Sequence, residues 1–330
     1  MNDRSLLTRR AVLGGGALAI SATAFARSAH ADAYPDRPVR IIAPFGAGGP
    51  SDLLSRLLAV KLGEKLGQTF YVENRPGAGS NIGTAAVARS TPDGYTLLLT
   101  SSAFVVNPGL YKEVPYDPVK DFAPIAELVT SPNVFIATNA SGIRSMAELV
   151  ARAKEKPDSL SYASAGIGTT PHLTGEWLKS VAGIKMTHVP YGGAGPALQA
   201  ILAGTVPLMC ASLPGAHPLI QRGDVRALAV TGAARWFDLP DVPTMVELGY
   251  KGFVSDTFHG MLAPAATPPD IVEHLAAVLL ETLRPPEFRD RLHALGFEVI
   301  GNGPDGLRKR IETEVPHYRE LIEKAGVERV

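Results

Sequence analysis

Ala43-Pro44-Phe45-Gly46-Ala47-Gly48-Gly49-Pro50-Ser51-Asp52 packs three glycines and two prolines into ten residues. The apolar run Val39-Arg40-Ile41-Ile42 precedes it and is short enough to be a buried strand. After it, Leu53, Leu57 and Val60 form one stripe of a helix, with Leu54, Leu58 and Leu62 beside them. Ser51 is placed to cap that helix and Gly67 to stop it. Strand, glycine-rich turn and helix in succession let the backbone approach a ligand, and the helix start offers unpaired N–H groups with a partial positive charge. Such a turn can hold an anion without a formal cation. A tight strand-to-helix turn with no ligand fits the same residues. The stretch lacks the terminal Lys-Ser/Thr of a P-loop, and Ser51 stands where a G-x-G-x-x-G motif needs its third glycine.

The 330 residues suggest two domains or one large one, and 45% apolar with 19% charged residues is enough for a sizeable core. Lys+Arg and Asp+Glu both number 32, so no nucleic-acid partner is indicated. Residues 1–31 read as an export signal outside the fold. Arg4, Arg9 and Arg10 are basic, Ala11 to Phe25 is small and apolar, and Ala29-His30-Ala31 fits a cleavage site. The paired Arg9-Arg10 points to the twin-arginine route, with an ordinary Sec signal as the alternative. Losing this segment removes four Arg and one Asp, leaving 28 basic and 31 acidic residues, net −3. Cys210 is the only cysteine, so no intramolecular disulfide forms; it lies in an apolar run as a buried hydrophobe.

Along the chain the first pattern recurs. Thr69 to Glu73 is a strand, Asn74 to Asn81 a second glycine-rich turn, Ile82 to Ala88 a helix and Tyr95 to Leu99 a third strand ending at Ser101-Ser102. Strands alternating with helices predict a parallel sheet, with ligands beyond the carboxyl ends of its strands. Residues 104–133 read as irregular and Pro-rich, with Phe122 to Leu128 and Asn133 to Ala137 as strands leaving the first domain.

A second series follows. Ser145-x-x-Glu148 is a capping box, and Leu160 to Ala163 a strand. Ser164 to His172 is a third small-residue turn, with Pro171 suited to a first helical turn. Lys185 to Val189 is a strand, Pro190 to Pro196 a fourth turn, and Val206 to Ala211 with Val225 to Thr231 complete a second small sheet. In the tail, Phe258 to Ala263 is a strand, and Pro268 to Leu283, Pro286 to Leu295 and Gly303 to Lys324 are helices with little between them. Packing that tail economically returns it to the first domain. The expected division is therefore residues 32–136 plus 256–330 in one lobe and 137–255 in the other, with a hinge of two crossings.

The chain contains no G-x-S-x-G, no H-E-x-x-H and no Cys/His cluster. Neither a metal nor a cofactor is expected. His172 is the histidine beside a glycine turn; it meets a ligand or caps the helix. Asp52 and Asp256 follow polar turn residues and either face a cleft or serve as helix N-terminal carboxylates. Glu73, closing the second strand, with Gly46-x-Gly48 is half of a dinucleotide fingerprint, which keeps a dinucleotide-dependent enzyme as an alternative.

These residues resemble a known family. Tyr34-Pro35-x-Arg37-Pro38, Pro44-Phe45-x-Ala47-Gly48-Gly49-x-x-Asp52, Glu73-Asn74-Arg75-Pro76-Gly77-Ala78, Pro92-Asp93-Gly94-Tyr95-Thr96, Ser164-x-Gly166-x-Gly168-Thr169, Val189-Pro190-Tyr191-x-Gly193-x-Gly195-Pro196-Ala197 and Asp241-Val242-Pro243-Thr244 are similar, in order, to the receptors of tripartite tricarboxylate transporters, the Bug-type periplasmic binding proteins. The resemblance implies a class II periplasmic binding fold of two Rossmann-like lobes. It implies closure on a small organic carboxylate and delivery to a membrane permease, without catalysis, by a periplasmic monomer. By position, Phe45, Gly46, Ala47, Gly48, Gly49, Ser51 and Asp52 would grip one end of the ligand, and Ser164, Gly166, Gly168 and Thr169 the other. Ser101, Ser102, Tyr191, Gly192 and Gly193 would line the sides. A ligand sensor on the same fold is the alternative to transport.

Overall fold

The computed structural model describes residues 34–324 and 327–330; the expected export signal, 1–31, lies outside the described residues. Strand β1 (Val39–Ala43) runs parallel to β2 (Phe70–Asn74) and β3 (Thr96–Ser101). Both faces of this sheet are covered, so its strands are apolar without alternation. Ile41, Leu97 and Leu99 pack under Leu54, Leu58 and Leu62 of α1 (Pro50–Leu66) and Leu275 and Leu279 of α8 (Pro269–Thr282). Ile42 and Leu98 face the other way. They meet Ala85 and Val87 of α2 (Asn81–Ala88), Phe104 of α3 (Ala103–Leu110) and Leu307 and Ile311 of α10 (Pro304–Lys324). Each such leucine or isoleucine stabilises the fold by about 1.5–3 kcal/mol.

The sheet continues through antiparallel β9 (Asp256–Pro264) to β4 (Phe122–Thr138) and β10 (Glu298–Asn302). Strand β4 joins the lobes. Its residues up to Pro132 pair with β9, whereas Asn133 onward pairs with β7 (Leu208–Ser212) and β8 (Val225–Val230). Strand β5 (Ser161–Ser164) then runs parallel to both β7 and β6 (Thr187–Pro190). Val134 and Ile136 of β4 face α6 (Ala194–Leu202) and α7 (Leu213–Gln221). Phe135 and Ala137 face α4 (Met146–Glu155) and α5 (Thr170–Ala182). Cys210 is fully buried in this second core, where burial pushes its thiol pKa up. Strand β4 changes partners between Pro132 and Asn133, and β9 begins at Asp256.

Several local expectations are corrected. The two strands expected at 122–128 and 133–137 are one strand of 17 residues. Pro132 is tolerated inside it because the partner strand changes there. The two sheets expected are joined through this strand, which belongs to both, into one hydrogen-bonded array of ten strands. The stretch expected to be irregular contains helix α3 with Pro108 inside it; the Phe104 carbonyl, which a Pro108 N–H cannot serve, takes the Tyr116 hydroxyl at 3.5 Å. Helix α7, which carries Gly215 and Pro218, and strand β10 were not expected at all. Ser51 is not a cap. Gly49 takes that position, Pro50 opens the helix, and the Asp52 carboxylate reaches back to the Gly48 N–H at 3.0 Å. Gly67 ends α1 in the left-handed conformation, as its position predicts. Ser145 caps α4 by accepting from Glu148 N, but Glu148 returns its bond to Arg144 N instead of Ser145 N.

Candidate functional site

The first turn is held from within. The Asp52 carboxylate accepts from Gly48 N and ion-pairs with Arg56 at 2.9 Å. Burial opposes its ionisation, but hydrogen bonds from Arg56, Gly48 N and Asn74 outweigh it and hold the pKa below the usual carboxylate value. Asn74 Nδ2 donates to the Phe45 carbonyl at 3.2 Å, tying the second turn to the first. The first intrahelical bond runs from Leu53 N to Gly49 O, so the N–H groups of Ser51 and Asp52 precede the helical ladder.

The third turn is built alike. Thr169 caps α5, its side chain accepting from His172 N, and Pro171 has no N–H to leave unpaired. Gly166 N donates to Ser164 Oγ, and Thr169 Oγ1 donates to Gly166 O at 2.7 Å. Gly193, with φ of +150°, precedes α6 in the fourth turn.

The two lobes touch through these turns. A Cβ on Gly193 would lie 2.9 Å from Gly46 N, and one on Gly195 would strike the Ala47 carbonyl oxygen. Likewise a Cβ on Gly79 would strike the Ile167 carbonyl, and one on Gly168 the Asn107 side chain. The first turn thus meets the fourth, and the second meets the third. Between them is a cavity of about 40 Å³. Phe45, Gly49, Pro50 and Ser51 line it from one lobe, with Ser101, Thr257 and His259 from the strands below. Ala165, Thr169, Thr170, Pro171, Ala194, Met209, Ala211 and Ser212 line it from the other. No Lys, Arg, Asp or Glu belongs to this lining. First-turn residues of α1, α5 and α6 do, so three helix N-termini supply its positive potential.

Of the residues singled out from the sequence, Phe45, Gly49, Ser51, Ser101 and Thr169 line the cavity. Gly46, Ala47, Gly48, Gly166, Gly168, Tyr191, Gly192 and Gly193 belong to the turns around it and are not in the lining itself. Ser102 is fully buried below, its Oγ accepting from Phe258 N at 2.9 Å to fasten β3 to β9. Ser164 pairs with His188 Nε2 at 2.7 Å. His172 stacks on His188 with ring centroids 4.3 Å apart, and its Nδ1 accepts from Gly168 N. Burial, followed by the Lys179 charge and partly opposed by Glu176, lowers its pKa to about 4. It is a neutral support beneath the third turn. Asp256 lies at the lobe crossing, accepting from Thr130 Oγ1 at 2.6 Å and from Arg310 at 3.2 Å. Glu73 ion-pairs with Arg40 and Arg75. Among the described residues no group of three His, Cys, Asp or Glu side chains is arranged to hold a metal ion.

Met209, Ala211, Ser212, Thr257 and His259 carry no turn signal. The first three stand on one strand end, where only the sheet's geometry brings them to the cavity. Thr257 and His259 are two residues apart on β9 and so share a face.

Two α/β lobes joined by two crossings, with helix N-termini of both at one inter-lobe cavity, define the periplasmic binding protein class. Solved structures agree: the periplasmic binding protein BugD is 42% identical with a TM-score of 0.86, the match covering 89% of this chain and 99% of that one. Two proteins of Rhodopseudomonas palustris are also similar. Rpa4515, solved with adipate, is 34% identical with a TM-score of 0.86, covering 89% of this chain and 98% of that one. MatC, solved with malate, is 32% identical with a TM-score of 0.83, covering 88% of this chain and all of that one (100%). The tripartite tricarboxylate transporter receptor family matches residues 54–327. The chain belongs to that family, whose members are substrate-binding proteins.

Proposed function

We propose that this protein is exported to the periplasm, closes as a monomer on a small organic carboxylate, and hands it unchanged to the permease of a tripartite tricarboxylate-type transporter. The observation that carries this reading is the cavity lining: first-turn residues of helices from both lobes surround a space with no ionised side chain. A carboxylate there meets main-chain N–H groups, and an acid with two ends can engage both lobes. Adipate and malate in the two similar structures are acids of this kind. Charge-assisted hydrogen bonds contribute about 1.5–3 kcal/mol each. Three or four of them, less the costs of ordering and association, reach the roughly −8 kcal/mol of a micromolar complex. Among the described residues no helix is long and apolar enough to cross a membrane.

The test is a thermal-shift screen of chain 32–330 against mono-, di- and tricarboxylates, followed by calorimetric titration of the hits. At least one acid should raise the melting temperature, bind one-to-one at about micromolar Kd and be recovered intact. Failure of every acid, or its steady consumption by the pure protein, would overturn the reading.

A further inference from the structure

His259 stands out in the cavity. It is 1% exposed, it lines the cavity floor, and its Nδ1 has no hydrogen-bonding partner among the described residues. Several hydroxyls of the lining are engaged elsewhere. Thr170 Oγ1 pairs with Thr257 Oγ1, which pairs with Asn133, and Ser212 Oγ pairs with Ser131 Oγ at 2.8 Å. Thr169 Oγ1 donates to Gly166 O. In the antiparallel register His259 stands directly opposite Ser101 of β3, so the two share a sheet face, and both line the cavity. Behind the imidazole is the edge-on ring of Phe297, with centroids 5.6 Å apart. Burial holds the ring neutral, with its pKa lowered to about 3. A neutral imidazole offers one donor and one acceptor, and a buried nitrogen left unpaired is unfavourable.

We propose that His259 is the specificity residue of this cavity, pairing its ring nitrogen with a second polar group on the bound acid. This rests on the carboxylate reading and extends it. Main-chain N–H groups recognise one carboxylate and are indifferent to the rest of the molecule. His259 makes the site prefer diacids and hydroxyacids over monoacids of the same chain length, because a methyl group placed against it leaves the nitrogen unpaired. Sites built to hydrogen-bond a substrate group discriminate strongly against analogues that lack it.

The experiment titrates wild type, His259→Phe and His259→Gln with matched acids: butyrate, succinate and malate, then hexanoate and adipate. The wild type is expected to favour the diacid of a pair by about tenfold or more. His259→Phe should lose that preference by weakening the diacid, with the monoacid altered less than about threefold, and His259→Gln should keep part of it. Equal weakening of both acids by His259→Phe, or an unchanged ratio, overturns the proposal. Should His259→Phe fail to fold, the wild type decides. In ¹⁵N spectra of histidine-labelled protein, the ring-nitrogen signals of His259, assigned through His259→Gln, should shift when succinate or adipate binds. Binding with no shift overturns the proposal. If no acid in the panel binds wild type, it is the carboxylate reading that fails.

Discussion

Gly195→Val is expected to weaken acid binding at least about a hundredfold while leaving both lobes folded. Gly195 lies in the first turn of α6 with no positive φ, so its own helix accepts a side chain there. What it cannot accept is the other lobe: a Cβ would strike the Ala47 carbonyl oxygen and lie 3.4 Å from the Ala47 carbonyl carbon. The obstruction is backbone against backbone and cannot be relieved by a rotamer change. A valine therefore holds the first and fourth turns apart, and the acid meets the N–H groups of one lobe only. Losing two or more charge-assisted bonds from the other lobe, at about 1.5–3 kcal/mol each, is a factor of a hundred or more. Calorimetric titration measures the loss, and small-angle scattering should show no ligand-dependent decrease in the radius of gyration. Wild-type affinity in this variant would show that the observed contact between the turns is not needed for binding.

Arg310→Met is expected to cost stability, more at pH 8 than at pH 5. Arg310 serves three carboxylates beside the lobe crossing: Glu127, which is 3% exposed, Asp256 at 3.2 Å and Glu314 at 2.9 Å. Its guanidinium also lies over the Phe258 ring, 4.4 Å from the centroid. Removing one partner of a buried ion pair costs about 3–5 kcal/mol, because the remaining charges stay buried without compensation. Glu314 sets the pH dependence. Burial, then the charges of Asp256 and Glu127, raise its pKa from 4.5 to about 7 against the opposing pull of Arg310. A carboxyl whose folded pKa is raised contributes stability that is present below pH 4.5 and lost as the pH rises through about 7. At pH 5 Glu314 keeps its proton in both proteins; by pH 8 the wild type pairs the ionised Glu314 with Arg310, whereas the variant, without that pull, must hold the proton or leave the charge unpaired beside Glu127 and the half-exposed Asp256. Chemical denaturation at the two pH values measures the difference. A loss under about 1 kcal/mol, or the same loss at both, would mean that solvent reaches these groups.

The parts of this molecule that are local in sequence are the parts the sequence makes legible. Val39 to Ile42, the Leu54, Leu58 and Leu62 stripe and the Gly67 stop each carry their own signal, because burial and helix termination act over a few residues. The four small-residue turns are legible for the same reason: close backbone approach excludes side chains, and a Cβ on Gly79, Gly168 or Gly195 would strike the facing lobe. Elements that depend on distant partners are not legible. Strand β4 looks like two strands because Pro132 interrupts it, and only its exchange of β9 for β7 and β8 makes the interruption harmless. Helices α3 and α7 contain Pro108 and Pro218, whose local preference tertiary packing overrides. Ser51 satisfies the composition of a cap, yet Pro50 before it and the Asp52 to Gly48 bond move the cap to Gly49. His259 is invisible as a site residue because β9 reaches the cavity only after the chain has crossed into the second lobe and returned.

The proposed function requires main-chain N–H groups at helix starts of opposed lobes to hold the carboxylate. The most direct measurement is a crystal structure with an acid from the thermal-shift screen, either succinate or adipate. One carboxylate is predicted within hydrogen-bonding distance of the Ser51 and Asp52 N–H groups, with another part of the ligand near the start of α5 at Thr170. An acid seated outside the space between the four turns, or held there chiefly by Lys or Arg side chains, would contradict the account.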